Sequence, residues 1–196
     1  MKRNSVFAVI LACVLCLITG CTSTSNVPPP TIEPTPVVTV QPTESPTETP
    51  VSELTVHFID VGQADAAVLQ CGDDTMMIDG GNVADSSLIV AYLKKLNIDN
   101  IDYMVCTHAH EDHVGGLSAP LSVMPVSAVY APSAEADSKA YQNFKRKAAD
   151  QNTEIMHPEN YESFPFGSAR VEILACPDNA DNLNNTSIIL KVTHKN

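Results

Sequence analysis

Thr107-His108-Ala109-His110-Glu111-Asp112-His113-Val114-Gly115-Gly116 is the stretch on which the reading of the fold turns. Half of the chain's six histidines fall within six positions here, directly after the apolar run Ile101 to Cys106. A strand end followed by a polar loop closed by two glycines lets side chains converge without burying unpaired backbone. His108 and His110 are two apart in extended chain, so they point to one side and can share a metal ion through neutral imidazole. Asp112 and His113 offer a carboxylate oxygen and a further nitrogen to a second ion. Zinc takes such mixed donors at about 2.0–2.2 Å and imposes no d-electron geometry. Two ions roughly 3.5–4 Å apart can stabilise both the entering and the leaving oxygen of a hydrolysis. Glu111 reads as a solvated spacer in this cluster.

Outward from this stretch, the pattern predicts a mixed α/β (α+β) domain over 54–196. Leu54 to Asp60 alternates, with Leu54, Val56 and Phe58 on one face, as a strand does. Val61 to Asp65 is a turn; Ala66 to Gln70 and Thr75 to Ile78 form a hairpin around Gly72-Asp73-Asp74. Leu88, Ile89, Tyr92, Leu93 and Leu96 fall at helical spacing and predict a helix over 85–96, with Asp85 as its N-cap. A strand at 128–130, a second, basic-ended helix at 137–150 and strands at 153–156, 169–174 and 187–193 complete the pattern. Strands first, then strand–helix–strand, points to helices covering packed sheets.

The N-terminal third is an address and a tether. Lys2 and Arg3 precede an apolar run from Val6 to Ile18, the length of a signal-peptide core and too short to span a bilayer comfortably. Leu17-Ile18-Thr19-Gly20-Cys21 resembles a bacterial lipobox, which implies cleavage of residues 1–20, lipid on Cys21 and residence on the extracytoplasmic face of a bacterial cell membrane. Two acyl chains give stable anchoring where one is marginal. Eight Pro and eight Thr between 22 and 50 favour extended, unpacked chain, so residues 21–53 read as a disordered tether. Cys13 and Cys16 leave with the signal. Cys71, Cys106 and Cys176 remain, an odd number with no Cys-x-x-Cys spacing, and read as small buried hydrophobes.

Composition excludes some partners. The chain carries 23 acidic and 11 basic residues. Four acids and two bases precede Leu54, leaving 19 against 9 and a net charge of −10 for the domain. That surface argues against electrostatic capture of a long nucleic-acid backbone, although bound cations reverse the local sign. The basic residues Lys139, Lys145, Arg146 and Lys147 read as a solvated helix face. His57, His157 and His194 read as packing or surface residues rather than ligands.

The metal-binding cluster and its neighbours resemble one family. His-x-His-x-Asp-His after an apolar strand resembles the signature of the metallo-β-lactamase superfamily. Phe58-Ile59-Asp60-Val61-Gly62-Gln63-Ala64-Asp65-Ala66 is similar to the opening of its ComEC-type competence branch, and Ile78-Asp79-Gly80-Gly81 and Asn184-Asn185-Thr186-Ser187-Ile188-Ile189-Leu190 resemble two further segments of it. The resemblance implies an αββα sandwich, of which this chain supplies mainly the N-terminal half. It implies a site of two metals, usually zinc, with His108 and His110 on one ion and Asp112 and His113 on the other, Asp112 also serving catalysis. Asp79 would hold the ligand loop from behind, or else cap a turn; Asp60 and Asp65 would border the site, or else only form turns. The family continues with a strand ending in Thr-Gly-Asp that bridges the metals, and no Thr-Gly-Asp occurs in this sequence. The expected function is hydrolysis of a small phosphoester or nucleic-acid phosphodiester by a metal-activated water. The alternative is a catalytically defective lipoprotein that binds at the cell envelope. A competence-type channel partner stays open, because the chain has no further apolar span of about 20 residues.

Overall fold

Alternation along three central strands sets the layers. In β3 (Asp74–Ile78), β4 (Ile101–Val105) and β5 (Val126–Tyr130), successive side chains leave opposite faces of one sheet. Met77, Met104 and Val129 pack on one face against Ile89, Leu93, Tyr141, Phe144 and Ala148. Met76, Val105 and Tyr130 pack on the other against Phe166, Val171 and Ile173. One apolar cluster therefore lies under helices, and the other lies between two sheets.

The computed structural model describes residues 51–178 and 181–195. The expected signal sequence, Cys21 and the Pro/Thr stretch up to residue 50 lie outside the described residues. The first sheet has the order β1-β2-β3-β4-β5-β6. β1 (Leu54–Phe58), β2 (Ala67–Cys71) and β3 are antiparallel neighbours, whereas β3, β4, β5 and β6 (Ile155–Met156) run parallel. The second sheet joins β7 (Ser163–Phe166), β8 (Ala169–Ala175) and β9 (Ile189–Thr193) in antiparallel order. Helix, sheet and sheet are three of the four layers of an αββα sandwich. Among the described residues no helix is long and apolar enough to cross a membrane.

Two helices carry two of the three parallel crossovers. α1 (Ser86–Lys95) links β3 to β4, and α4 (Lys139–Asp150) links β5 to β6. Both end in the same way. Asn97 and Asn152 take φ +58°, and the next residue donates back into the last turn, Ile98 N–H to Leu93 and Thr153 N–H to Ala148, each at 3.0 Å. Asparagine tolerates that left-handed position, which stops each helix and turns the chain toward the next strand. α4 starts where Ser138 accepts a bond from Tyr141 N–H at 3.2 Å.

Three local expectations change. The helix expected over 85–96 is α1 preceded by a 3₁₀ turn, Val83–Asp85; Asp85 is at the N-cap position of α1 as expected, but its carboxylate accepts from Asn82 N–H rather than from α1. Leu88 stays exposed although it shares the apolar spacing. The loop expected from 107 to 116 instead contains a turn of helix, α2 (Glu111–Val114), then a 3₁₀ turn, Gly115–Ser118, and α3 (Pro120–Val123). His110 provides the extended N-cap of α2, and Glu111 and Asp112 in its first turn suit the positive end of the backbone dipoles.

Glycine permits the tightest approach in the molecule. Gly80 N–H donates to His113 C=O at 2.7 Å, and Gly116 N–H donates to Gly81 C=O at 3.1 Å. A Cβ on Gly116 would stand 1.9 Å from Gly80 O, and one on Gly115 would stand 2.4 Å from Val83 N. The Asp79–Asn82 turn and the α2 segment therefore lie backbone on backbone.

Candidate metal centre

That contact places Asp79 under the histidines. Asp79 is 3 % exposed and sits at φ +55°. Its Oδ1 accepts from Thr107 N–H at 2.8 Å, and its Oδ2 accepts from Thr107 Oγ1 at 2.6 Å and His113 Nδ1 at 2.8 Å. One carboxylate thus fixes the start of the histidine segment and its third ring.

Proton counting assigns both imidazoles. The Thr107 hydroxyl has one proton, which goes to the Asp79 carboxylate. His108 Nδ1, 3.1 Å from the same oxygen, must therefore donate to it. His108 Nε2 is then a bare lone pair, and it is buried with no partner. His113 likewise spends its Nδ1 proton on Asp79, leaving Nε2 3.8 Å from Asp65 Oδ2 and 3.9 Å from Asp112 Oδ2. Burial, and then the neighbouring His113, push the His108 pKa down, so the ring stays neutral. The bond to Asp79 raises that of His113 against the opposing effect of burial.

The three rings lie together. His108 is 4.0 Å from His113 and 4.9 Å from His110 between ring centroids. Asp112 reaches the group from the first turn of α2, with its side chain 43 % exposed. Asp65 joins through its backbone: Asp65 N–H donates to Asp112 C=O at 3.2 Å, and Gly81 N–H donates to Asp65 C=O at 2.9 Å. Asp60 is not brought in; its Oδ1 accepts from Gly62 N–H at 3.2 Å within the turn. Glu111 is exposed on α2.

A lone pair buried without a donor, next to a second imidazole whose Nε2 faces two carboxylates, fits a divalent cation. The donor chemistry therefore suits a metal. As the side chains stand, no group of three or more His, Cys, Asp or Glu among the described residues is placed to hold one ion.

His108 and His113 open into a cleft of about 390 Å³, which His110 does not line. Its polar lining is Asp65, Asp79, Thr107, His108, His113 and Ser187; its apolar lining is Phe58, Ala66, Ala67, Ile78 and Ile188. Ile188 is held over it by its N–H, which donates to Thr107 C=O at 2.9 Å. Sequence reasoning passed over Thr107, Phe58 and Ile188. A hydroxyl residue at the junction of an apolar strand and a histidine run was the available signal for Thr107; the other two carry none. The remaining histidines lie elsewhere: His57 meets the Tyr92 hydroxyl at 3.4 Å, His157 the Ala131 carbonyl at 2.9 Å and His194 the Ser52 carbonyl at 2.6 Å. Cys71, Cys106 and Cys176 are buried free thiols. On α4, Lys145 pairs with Glu135 at 2.6 Å and Lys147 with Asp150 at 3.6 Å.

Comparison with known proteins gives a family. The metallo-beta-lactamase superfamily model matches residues 59–162, more than half of the 196 residues. No curated protein matches the chain. Among solved structures, metallo-beta-lactamase SMB-1 bound to 2-mercaptoethanesulfonate is 21 % identical with a TM-score of 0.47, covering 62 % of this chain and 51 % of that one. A Cronobacter sakazakii metallo-beta-lactamase with a HARLDQ motif is 18 % identical with a TM-score of 0.45, covering 62 % and 50 %. CmlA, a diiron beta-hydroxylase from Streptomyces venezuelae, is 16 % identical with a TM-score of 0.46, covering 75 % and 28 %. The chain spans about half the length of the first solved structures it matches.

Proposed function

Because the chain belongs to the metallo-beta-lactamase superfamily, whose members are generally metal-dependent hydrolases, we propose that it is a metal-dependent hydrolase of phosphoesters in the ComEC-type branch. The observation that carries this reading is the bare, buried Nε2 of His108 beside His113. His108 and His110 would hold one ion and Asp112 and His113 a second, both zinc. Bound there, such ions supply Lewis acidity toward an ester oxygen and lower the pKa of a coordinated water.

The chain's own residues do the rest. Thr107 and Asp79 accept hydrogen bonds from Nδ1 of His108 and His113, which turns Nε2 of each ring to the opposite edge, where it would meet an ion. Asp65, at 77 % side-chain exposure and 3.8 Å from His113, stands where it can accept a proton from an entering water. The apolar side of the cleft limits competing water around the reacting ester. Lipid on Cys21 and the Pro/Thr stretch would hold this domain outside the cell membrane, with a small phosphoester as substrate and a competence-type channel as a possible separate partner.

The second reading is a non-catalytic module at the envelope. It draws on the absence of a ready three-donor group among the described residues. Two measurements on the full chain separate the two. The hydrolase binds close to two zinc ions and cleaves bis(4-nitrophenyl) phosphate, and His110→Ala abolishes the cleavage; equal rates in parent and variant refute the hydrolase reading. The module binds one ion or none and cleaves nothing. Incorporation of a lipid precursor, lost in Cys21→Ser, tests the anchor.

A further inference from the structure

The cleft has a side that binding metal does not use. Phe58 is the last residue of β1, paired with Ala67 in the antiparallel ladder. Alternation sends Leu54, Val56 and Phe58 toward the second sheet, whose three strands half-bury Leu54 but leave Val56 43 % and Phe58 83 % exposed. An aromatic ring of this size has on the order of 150–250 Å² to bury. It lines the same cleft as His108 and His113, together with Ala66, Ala67, Ile78 and Ile188. The Ile59 N–H to Ala66 C=O bond, 3.0 Å, closes the ladder there and delivers Asp65 to within 3.8 Å of His113 Nε2. Ring and imidazoles therefore face one space.

Charge narrows what that space takes. Among the described residues no Lys or Arg lines the cleft, whereas Asp65 and Asp79 do. A polyanion would meet two carboxylates and no fixed cation. A neutral or singly charged ester would meet only what the imidazoles hold.

We propose that Phe58 and the apolar side of the cleft form a subsite for a planar aromatic substituent next to the scissile bond of an ester carrying at most one negative charge. The ring stacks on Phe58 while the ester lies over His108 and His113; the geometry favours aryl esters over alkyl esters and over polyanionic strands. This rests on the hydrolase reading for its ester, and on the cleft alone for its aromatic group.

The chain contains no tryptophan, so Phe58→Trp places a single reporter at the lip of the cleft, at an exposed position where folding does not depend on the ring. In the full chain supplied with zinc, 4-nitrophenyl methyl phosphate quenches this tryptophan saturably, diphenyl phosphate competes, and dimethyl phosphate at the same concentrations does not. By ligand-observed NMR, Phe58→Ala weakens diphenyl phosphate about tenfold, equivalent to about 1.4 kcal/mol, and leaves dimethyl phosphate unchanged. Equal affinity for diphenyl phosphate in parent and Phe58→Ala overturns the subsite, as does a tryptophan already shielded from acrylamide without ligand. Aryl binding that depends on Phe58, without any hydrolysis by the parent, supports the subsite and refutes the hydrolase reading instead.

Discussion

Replacing Asp79 with Asn exchanges one carboxylate oxygen for an amide nitrogen and reverses the proton order of His113. Asn tolerates φ +55°, so the backbone is undisturbed, and Oδ1 still accepts from Thr107 N–H. Oδ2, which accepts from both Thr107 Oγ1 and His113 Nδ1, becomes an amide nitrogen that can only donate. Thr107 can turn its hydroxyl to accept. His113 must move its proton from Nδ1 to Nε2, and Nε2 is the nitrogen that faces Asp65 and Asp112. Two bonds to a buried carboxylate, each about 1.5–3 kcal/mol, are exchanged for neutral bonds of about 0.5–1.5 kcal/mol. The net loss is about 2 kcal/mol, which for a domain of this size lowers Tm by on the order of 6 °C. Zinc affinity falls about 10- to 100-fold, the usual cost of losing the partner that orients a ligating imidazole. Urea unfolding of the metal-free protein reads the stability, a chromophoric chelator reads the affinity, and long-range ¹⁵N NMR reads the tautomer directly. A His113 that keeps its proton on Nδ1 in the variant, with parental zinc affinity, refutes the reasoning. Asp79→Ala adds a left-handed residue without polar support, at a further cost of about 1–2 kcal/mol.

Three other outcomes follow from the packing. Gly116→Ala drives a Cβ to 1.9 Å from Gly80 O, with backbone on both sides, so stability falls by about 3 kcal/mol in urea unfolding; a loss under 0.5 kcal/mol shows that the turn and α2 are not locked together. Ser138→Ala removes the cap of α4 and costs about 1 kcal/mol, whereas Ser138→Asp restores it; equal midpoints for the Ala and Asp variants refute the capping role. Burial, with Glu135 adding to it, pushes the Tyr141 hydroxyl up to about 12. The unfolded chain ionises this group near its ordinary value of 10.0, so its contribution is complete below pH 10 and is lost between pH 10 and about 12. Tyr141→Phe is therefore less sensitive to pH than the parent over that window; parallel stability curves for the two proteins contradict it.

Helices and central strands were legible because each has a period. Ile89, Tyr92 and Leu93 at 3-4 spacing mark α1, and a run that is apolar except for Asp102 marks β4. β7 is hidden because Pro165 interrupts Ser163–Phe166, and proline is compatible only with an edge strand such as this one, where Phe164 stacks on Tyr103 and Phe166 meets it edge-on. α2 was read as loop because a single helical turn, Glu111–Val114, is too short to show a period and starts on three polar residues. Leu88 fits the spacing and is nevertheless exposed, since the period marks a face without saying how wide the covering sheet is.

The site divides along a different line. Which residues could donate to a metal was evident from their types and spacing, because ligand chemistry belongs to the side chain. Which of them actually present a lone pair is a question of protons, and the answer comes from partners distant in sequence: Asp79, 28 residues before Thr107 and 34 before His113. Asp60 and Asp65 show the same limit. Both flank the turn at Gly62, and composition gives no reason to prefer one. The ladder bond from Ile59 to Ala66 makes Asp60 the outer residue, bonded to Gly62, and turns Asp65 toward His113. Exchanging the two roles would require moving the strand register by a residue, which would also invert the faces of Leu54, Val56 and Phe58. The position of the carboxylate at the metal centre and the exposure of Phe58 at the cleft are therefore set by one choice of register, and a mutation that shifts β1 against β2 would lose both together.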